Sequence, residues 1–335
     1  MLHSSQFTDP SIVKDKHVVV VGGGKSATEV TMSAKDSGAK SATMLYREAH
    51  WGTPVKIAGF IPFQFVFLSR FGQALVSLYK GVFPTSDSAL LKSSHKVLKP
   101  VMGPVFNIVE ALFAAQLGHR GDFRPTNDVV KDFYAVPYVM GPGFINRVNS
   151  NEVGLKKGEV EKLTSGKTIV LKNAKGELPC DVLLCATGFA KSYDVFDEAT
   201  RKSLNVERDG LYLYQHTVPV DVDNLFFCGS ELACIFNVGS YALQAEWISQ
   251  VLSGKIKLPP KPEMNKAVEE MKQWKRSWMP DTSQRASLVL LHHTHFHDTL
   301  LRDMKVNPKR KSNPVLEALY PYYPKDYDGI IVATK

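Results

Sequence analysis

The chain has 335 residues, 44% of them hydrophobic and 22% charged, a size and composition that fit two globular domains and exclude a fibrous or disordered polypeptide. Lysine and arginine outnumber aspartate and glutamate by 41 to 33, and the surplus, thickest at 255–261 and 305–311, suits either a phosphate-bearing cofactor or solvated lysine faces. No nucleic-acid recognition motif accompanies it, and Cys180, Cys185, Cys228 and Cys234 form no Cys-x-x-Cys pair, which points to reduced thiols in a cytoplasmic protein and argues against dithiol exchange.

The opening Met1-Leu2-His3-Ser4-Ser5 is polar, unlike a secretory leader. Lys16-His17-Val18-Val19-Val20-Val21 is a β-branched run ending in glycines, the pattern of a buried parallel strand. Helix-compatible residues at 28–37 close at Gly38, and 41–46 reads as a second strand. Strand, glycine turn, helix and strand make one βαβ unit.

From about 51 to 134, long apolar stretches punctuated by prolines predict a mostly helical insertion. Within it, residues 57–83 come nearest to a membrane segment. Arg70 and Lys80 break them, short of the roughly 20 apolar residues a span needs. Buried or lid helices suit this stretch, and so does peripheral membrane contact. Strands follow at 153–163, 167–172 and 179–185, with Asn173-Ala174-Lys175-Gly176 as a hairpin turn between the last two, and another at 225–229. Residues 240–253 have helical periodicity and stop at Gly254. After a proline-rich linker at 259–262, residues 263–278 read as an amphipathic helix and the tail from Asn307 as an extended arm.

The most informative segment is Val21-Gly22-Gly23-Gly24-Lys25-Ser26-Ala27, a G-x-G-x-x-A pattern between strand and helix. Gly22 allows the tight turn, Gly24 lets the backbone approach a pyrophosphate, and Ala27 lets helix and strand pack closely. The pyrophosphate is expected on the first helical turn, at Lys25, Ser26, Ala27 and Thr28, where backbone N–H groups and the helix dipole favour an anion. At the end of the second strand, where NAD enzymes carry an acidic residue for the ribose, stands Arg47. Its guanidinium matches a 2′-phosphate, so NADP is favoured over NAD. Glu48 beside it can pair with Arg47 or take the ribose. His293 and His297, four residues apart with His295 and Asp298 nearby, have helical metal-ligand spacing; ordinary partly buried histidines are the preferred reading, and no metal site is assigned.

The Gly22-x-Gly24-x-Ser26-Ala27 form resembles the NADPH motif of flavin-containing monooxygenases. His3-Ser4-Ser5-Gln6-Phe7 resembles the end of that family's F-x-G-x-x-x-H-x-x-x-(Y/F) fingerprint. The segment Asp181-Val182-Leu183-Leu184-Cys185-Ala186-Thr187-Gly188-Phe189 resembles its A-T-G link back to the FAD domain. Asn224-Leu225-Phe226-Phe227-Cys228-Gly229, followed by Leu243-Gln244-Ala245-Glu246-Trp247, resembles the strand and helix that close that domain. The tail looks most like the plant and microbial branch.

The resemblance implies an α/β fold: a Rossmann-like NADP-binding domain with a helical insertion, plus the C-terminal part of an incomplete FAD-binding domain. The expected divisions are 1–15 as FAD-domain remnant and linker, 16–180 as the NADP domain, 181–255 as the FAD-domain part, and 256–335 as helix and tail. It implies NADPH and FAD as cofactors, and oxygenation of a soft nitrogen or sulfur centre in a small substrate by O₂ through a flavin C4a-hydroperoxide. The flavin carries that chemistry, so no catalytic residue is assigned. By the same resemblance Thr187 and Gly188 approach the flavin side. Trp51 lies near the cofactor or is a core aromatic, and Asn237 and Gln244 reach flavin or nicotinamide or serve turn and helix. Family members carry a first G-x-G-x-x-G for FAD that is absent here, so a truncated, inactive fragment is expected. The alternatives are a non-enzymatic NADP-binding remnant and a flavin/NADP reductase without oxygenation.

Overall fold

The computed structural model describes residues 1–137, 139–140, 142–172 and 177–330. The chain divides into two compact units, one made of 1–60 and 106–191 and the other of 61–105 and 192–335. The boundary thus falls inside the segment read from sequence as one helical insertion.

The first unit is built on a five-stranded sheet. Its strands are β1 (Leu2–His3), β2 (His17–Val21), β3 (Ser41–Tyr46), β4 (Gly154–Lys157) and, after three strands of a second sheet, β8 (Val182–Cys185). The spatial order is β1-β8-β2-β3-β4, with every pairing parallel. Parallel strands covered on both faces need apolar side chains on both. Val18 and Val20 accordingly face one core with Met44, Tyr46 and Ala27 of helix α1 (Lys25–Asp36), while Val19 and Val21 face another with Leu45, Ile169 and Leu171. That second core lies under an antiparallel sheet of β5 (Glu159–Leu163), β6 (Thr168–Lys172) and β7 (Glu177–Pro179).

Two predicted strands are each two strands in the fold. Residues 153–163 break at Gly158, whose N–H donates to the Tyr46 carbonyl at 2.9 Å, so β4 pairs with β3 while β5 joins the other sheet. Residues 179–185 likewise begin in β7 and end in β8, with the Asp181 N–H reaching the His17 carbonyl at 2.8 Å where the chain changes sheet. The predicted hairpin turn at 173–176 lies outside the described residues; β6 and β7 on either side of it pair antiparallel, Ile169 opposite Leu178.

The second unit is mostly helical. The helices Asn237–Leu252 and His293–Asp303 meet over a core of Phe83, Leu243, Trp247, Phe296, Leu300 and Leu301. Residues 225–229 form no strand: the Phe227 N–H donates to the Thr217 carbonyl at 2.8 Å and the side chain joins a small cluster with Leu204, Leu211 and Leu213. The tail is not an extended arm. It holds the helix Pro314–Leu319 and a 3-10 turn, Pro324–Tyr327. Arg70 binds it: the guanidinium donates to Asp298 at 2.6 and 2.8 Å, to the Pro308 carbonyl at 2.8 Å, and to Glu317. Arg70, which in the sequence only interrupts an apolar run, is thereby the centre of an internal ionic network.

The stretch 57–83 contains the helices Phe63–Phe67 and Arg70–Lys80, with Phe67, Val76 and Phe83 buried. Among the described residues, one helix is long and apolar enough to cross a membrane by length and composition alone, Ala89–Leu117, which carries Pro100 and Pro104. Lys92, Lys96 and Lys99 in its first half and Glu110 further on conceal it from a search for uncharged runs.

Candidate functional site

The site lies at the carboxyl ends of the parallel strands, where β2 feeds its helix on one side and β8 returns on the other. This is the switch point at which open α/β sheets bind ligands. Gly22 has φ +150°, a conformation side chains rarely adopt, and a Cβ there would lie 2.5 Å from the Ala186 carbonyl oxygen and 3.1 Å from the Ala27 Cβ. The glycine therefore lets β8 and α1 close on the end of β2, and Ala27, fully buried, completes that contact. At Gly24 a Cβ would meet the Val136 side chain at 3.1 Å.

Gly24 is the N-cap of α1, and among the described residues no side chain caps that end. Lys25 and Ser26 are exposed beside it, and Lys25 makes an ion pair with Glu29 at 3.4 Å. An uncapped helix N-terminus following a glycine turn has the donors and dipole that an anion requires. Thr28 is buried, and its hydroxyl donates to the Lys25 carbonyl at 2.7 Å, so it braces the first turn from within.

Arg47 leaves the end of β3 with its side chain 77% exposed, 4.0 Å from Glu159. Register adds a residue that sequence reasoning missed: Lys157, the last residue of β4 and exposed, is aligned with Tyr46. Two cations therefore stand at neighbouring strand ends. The available signal was the doublet Lys156-Lys157 before Gly158, but only pairing between distant strands sets it beside Arg47.

Trp51 is 1% exposed; its backbone N–H donates to Asp132 Oδ2 at 2.6 Å and its indole N–H to the Asn127 carbonyl at 2.8 Å. Its surroundings are those of a core aromatic. Thr187 and Gly188 are exposed just past β8, and the Gly188 carbonyl lies 3.1 Å from His3 Nε2. Asn237 and Gln244 belong to the second unit. Asn237 accepts the Cys234 N–H at 2.9 Å. Gln244 is fully buried, accepting from the Gly229 N–H at 2.8 Å and donating to the His216 carbonyl and the Thr217 hydroxyl at 2.9 and 2.7 Å. Its amide ties a helix to two loops.

The histidines at 292–297 are interior groups. His297 is hydrogen-bonded to the Ser240 and Tyr327 hydroxyls, each at 2.7 Å. Burial pushes the His293 imidazole down to about 4 and His292 and His297 well below the ordinary histidine range.

The family profile Flavin-binding monooxygenase-like matches residues 1–312. The chain belongs to this family. Members use FAD and NADPH. A probable flavin-containing monooxygenase 1 of Arabidopsis thaliana is 26% identical over 95% of this chain and 59% of its own length. The flavin-containing monooxygenase 1 of Rattus norvegicus is 27% identical over 82% of this chain and 46% of its own. The chain thus spans about half the length of the curated relatives it matches. Among solved structures, the polycyclic ketone monooxygenase of Thermothelomyces thermophila aligns over 88% of this chain and 59% of that one, with a TM-score of 0.58 at 14% identity, a likeness of fold. This family member has a Rossmann-type α/β fold.

Proposed function

We propose that the chain supplies the NADPH site of a flavin-dependent monooxygenase acting on a small substrate with a soft nucleophilic nitrogen or sulfur centre, by the route the resemblance implies. The observation that carries this reading is the glycine turn at the switch point, opening onto an uncapped helix end with Arg47 and Lys157 at the adjoining strand ends. Gly22, Gly24, Lys25, Ser26 and Ala27 form the pyrophosphate cradle, with the Thr28 hydroxyl bracing its first helical turn. Arg47 and Lys157 take the 2′-phosphate. NADPH bound there supplies hydride to the flavin. Thr187 and Gly188 line the way from this cradle to the flavin side, and Asn237 orients the loop before its helix. Trp51 supports the site through the hydrogen bonds described above, and Gln244 serves its own helix and loops.

The described residues fit NADPH and do not by themselves fit FAD, because they form one glycine turn between a parallel strand and a helix. That observation favours, as a second reading, a chain that binds NADPH without turning it over.

The test compares NADPH with NADH for wild type, R47A and K157A by nucleotide fluorescence titration. Losing a charge-assisted contact to phosphate lowers affinity roughly ten- to hundredfold. R47A and K157A are each expected to weaken NADPH by such a factor and to leave NADH nearly unchanged. Equal losses for both nucleotides refute the 2′-phosphate assignment.

A further inference from the structure

β3 ends at Tyr46, and the chain then turns back across the glycine turn. A Cβ on Gly23 would lie 3.0 Å from the Glu48 carbonyl oxygen and 3.4 Å from Cδ2 of His50. The His50 imidazole therefore rests against the turn, its side chain 16% exposed.

What holds it there is the Asp132 carboxylate, on the helix Val129–Phe133, with a side chain fully buried. Oδ1 is 3.0 Å from His50 Nδ1, and Oδ2 accepts the Trp51 N–H at 2.6 Å. A carboxylate only accepts, so Nδ1 carries a hydrogen and the ring plane is set, and in the imidazolium form Nε2 carries a second hydrogen that an anion can accept. The same residue fixes the opposite wall. Its backbone carbonyl accepts the N–H groups of Ala135 and Val136 at 2.8 and 3.0 Å, and Val136 is the side chain that closes on Gly24. Burying a carboxylate is costly unless it is fully bonded. Here the bonds connect the loop after β3 to both walls of the turn.

We propose that His50 contacts the pyrophosphate of the bound dinucleotide and that Asp132 is its positioning residue, acting through the imidazole. This rests on the nucleotide-site reading above and adds a prediction it does not make. The pyrophosphate is common to NADPH and NADH, so His50 serves both, unlike Arg47 and Lys157.

The experiment is a double-mutant cycle on the full chain, reading NADPH and NADH affinity together with the thermal midpoint. H50A is expected to weaken both nucleotides by the same factor, roughly tenfold. H50Q, which can still donate to Asp132, is expected to recover most of it. D132N keeps the shape and an acceptor for the Trp51 N–H but turns an N–H toward Nδ1, so the doubly protonated ring loses its acceptor there; it is expected to weaken both nucleotides severalfold, and H50A/D132N to bind no worse than H50A. Wild-type affinity in H50A overturns the contact. A D132N loss that persists in full on the H50A background, or that appears only as a lowered midpoint, overturns the positioning role. Wild type that binds neither nucleotide removes the nucleotide-site reading itself and this proposal with it.

Discussion

At the scale of single residues, the glycines of the turn separate into two kinds. Gly22 is required by the fold: its φ of +150° and the 2.5 Å approach to the Ala186 carbonyl leave no room for any side chain. Gly24 has an ordinary φ and a single soft neighbour, the Val136 methyl at 3.1 Å. G22A is therefore expected to cost at least about 2 kcal/mol through backbone strain and the clash with backbone. G24A is expected to keep the thermal midpoint close to wild type while weakening NADPH, because the added methyl faces the turn. Thermal unfolding and NADPH titration of the two variants check this, and a G24A protein that unfolds as early as G22A contradicts it. The glycine turn, Ala27 and Arg47 were legible in the sequence because their meaning is local: strand, turn and helix follow one another within a few residues. Lys157 and the His50–Asp132 pair were not, because a strand register and a contact across 82 positions bring them to the turn. Trp51 and Gln244 were legible only as members of a pattern; the buried hydrogen bonds that occupy them have no sequence signature.

Among elements, β2, α1 and β3 lie within a few residues of where periodicity predicts them, and the errors cluster where the chain changes sheet. A continuous β-like run conceals a sheet change because the same alternation serves both sheets; Gly158 and Asp181 mark the breaks. The helix His293–Asp303 was anticipated as histidine-rich but not as a core element. Its chemistry leads to a pH dependence. An unfolded histidine titrates near 6.5, whereas burial holds His293 to about 4 and keeps His292 and His297 well below the ordinary range. These folded values are depressed, and for a base that means the unfolded chain takes up the proton first. The stability is fully present above about pH 6.5 and is lost as pH falls from there toward 4, at roughly 1.4 kcal/mol per pH unit for each group. Thermal midpoints measured from pH 7.5 to 5 are expected to drop steeply below 6.5, and H293Q is expected to show a shallower drop. A flat profile across that range contradicts the buried neutral assignment.

At the scale of the whole molecule, the glycine turns that join a parallel strand to a helix decide what the chain can hold. Among the described residues of the first unit, the glycine turn that leads straight from a parallel strand into a helix is Gly22–Gly24, on a five-stranded sheet. In the second unit, the parallel pairing among the described residues is the two-stranded contact between Ala233–Cys234 and Leu288–Leu290. No glycine separates Ala233–Cys234 from the helix Asn237–Leu252 that follows it. A dinucleotide-type cofactor needs a glycine turn on a strand end and a free helix N-terminus together. The chain is therefore expected to bind NADPH but to retain far less than one FAD per molecule after gel filtration from excess flavin. It is also expected to oxidise NADPH no faster in the presence of a thioether or tertiary amine than without one. Absorbance in the flavin band of the eluted protein reads the first outcome and NADPH consumption the second. A yellow protein with one flavin per chain would show that a second cradle forms around FAD, and the single-cradle argument would then be wrong.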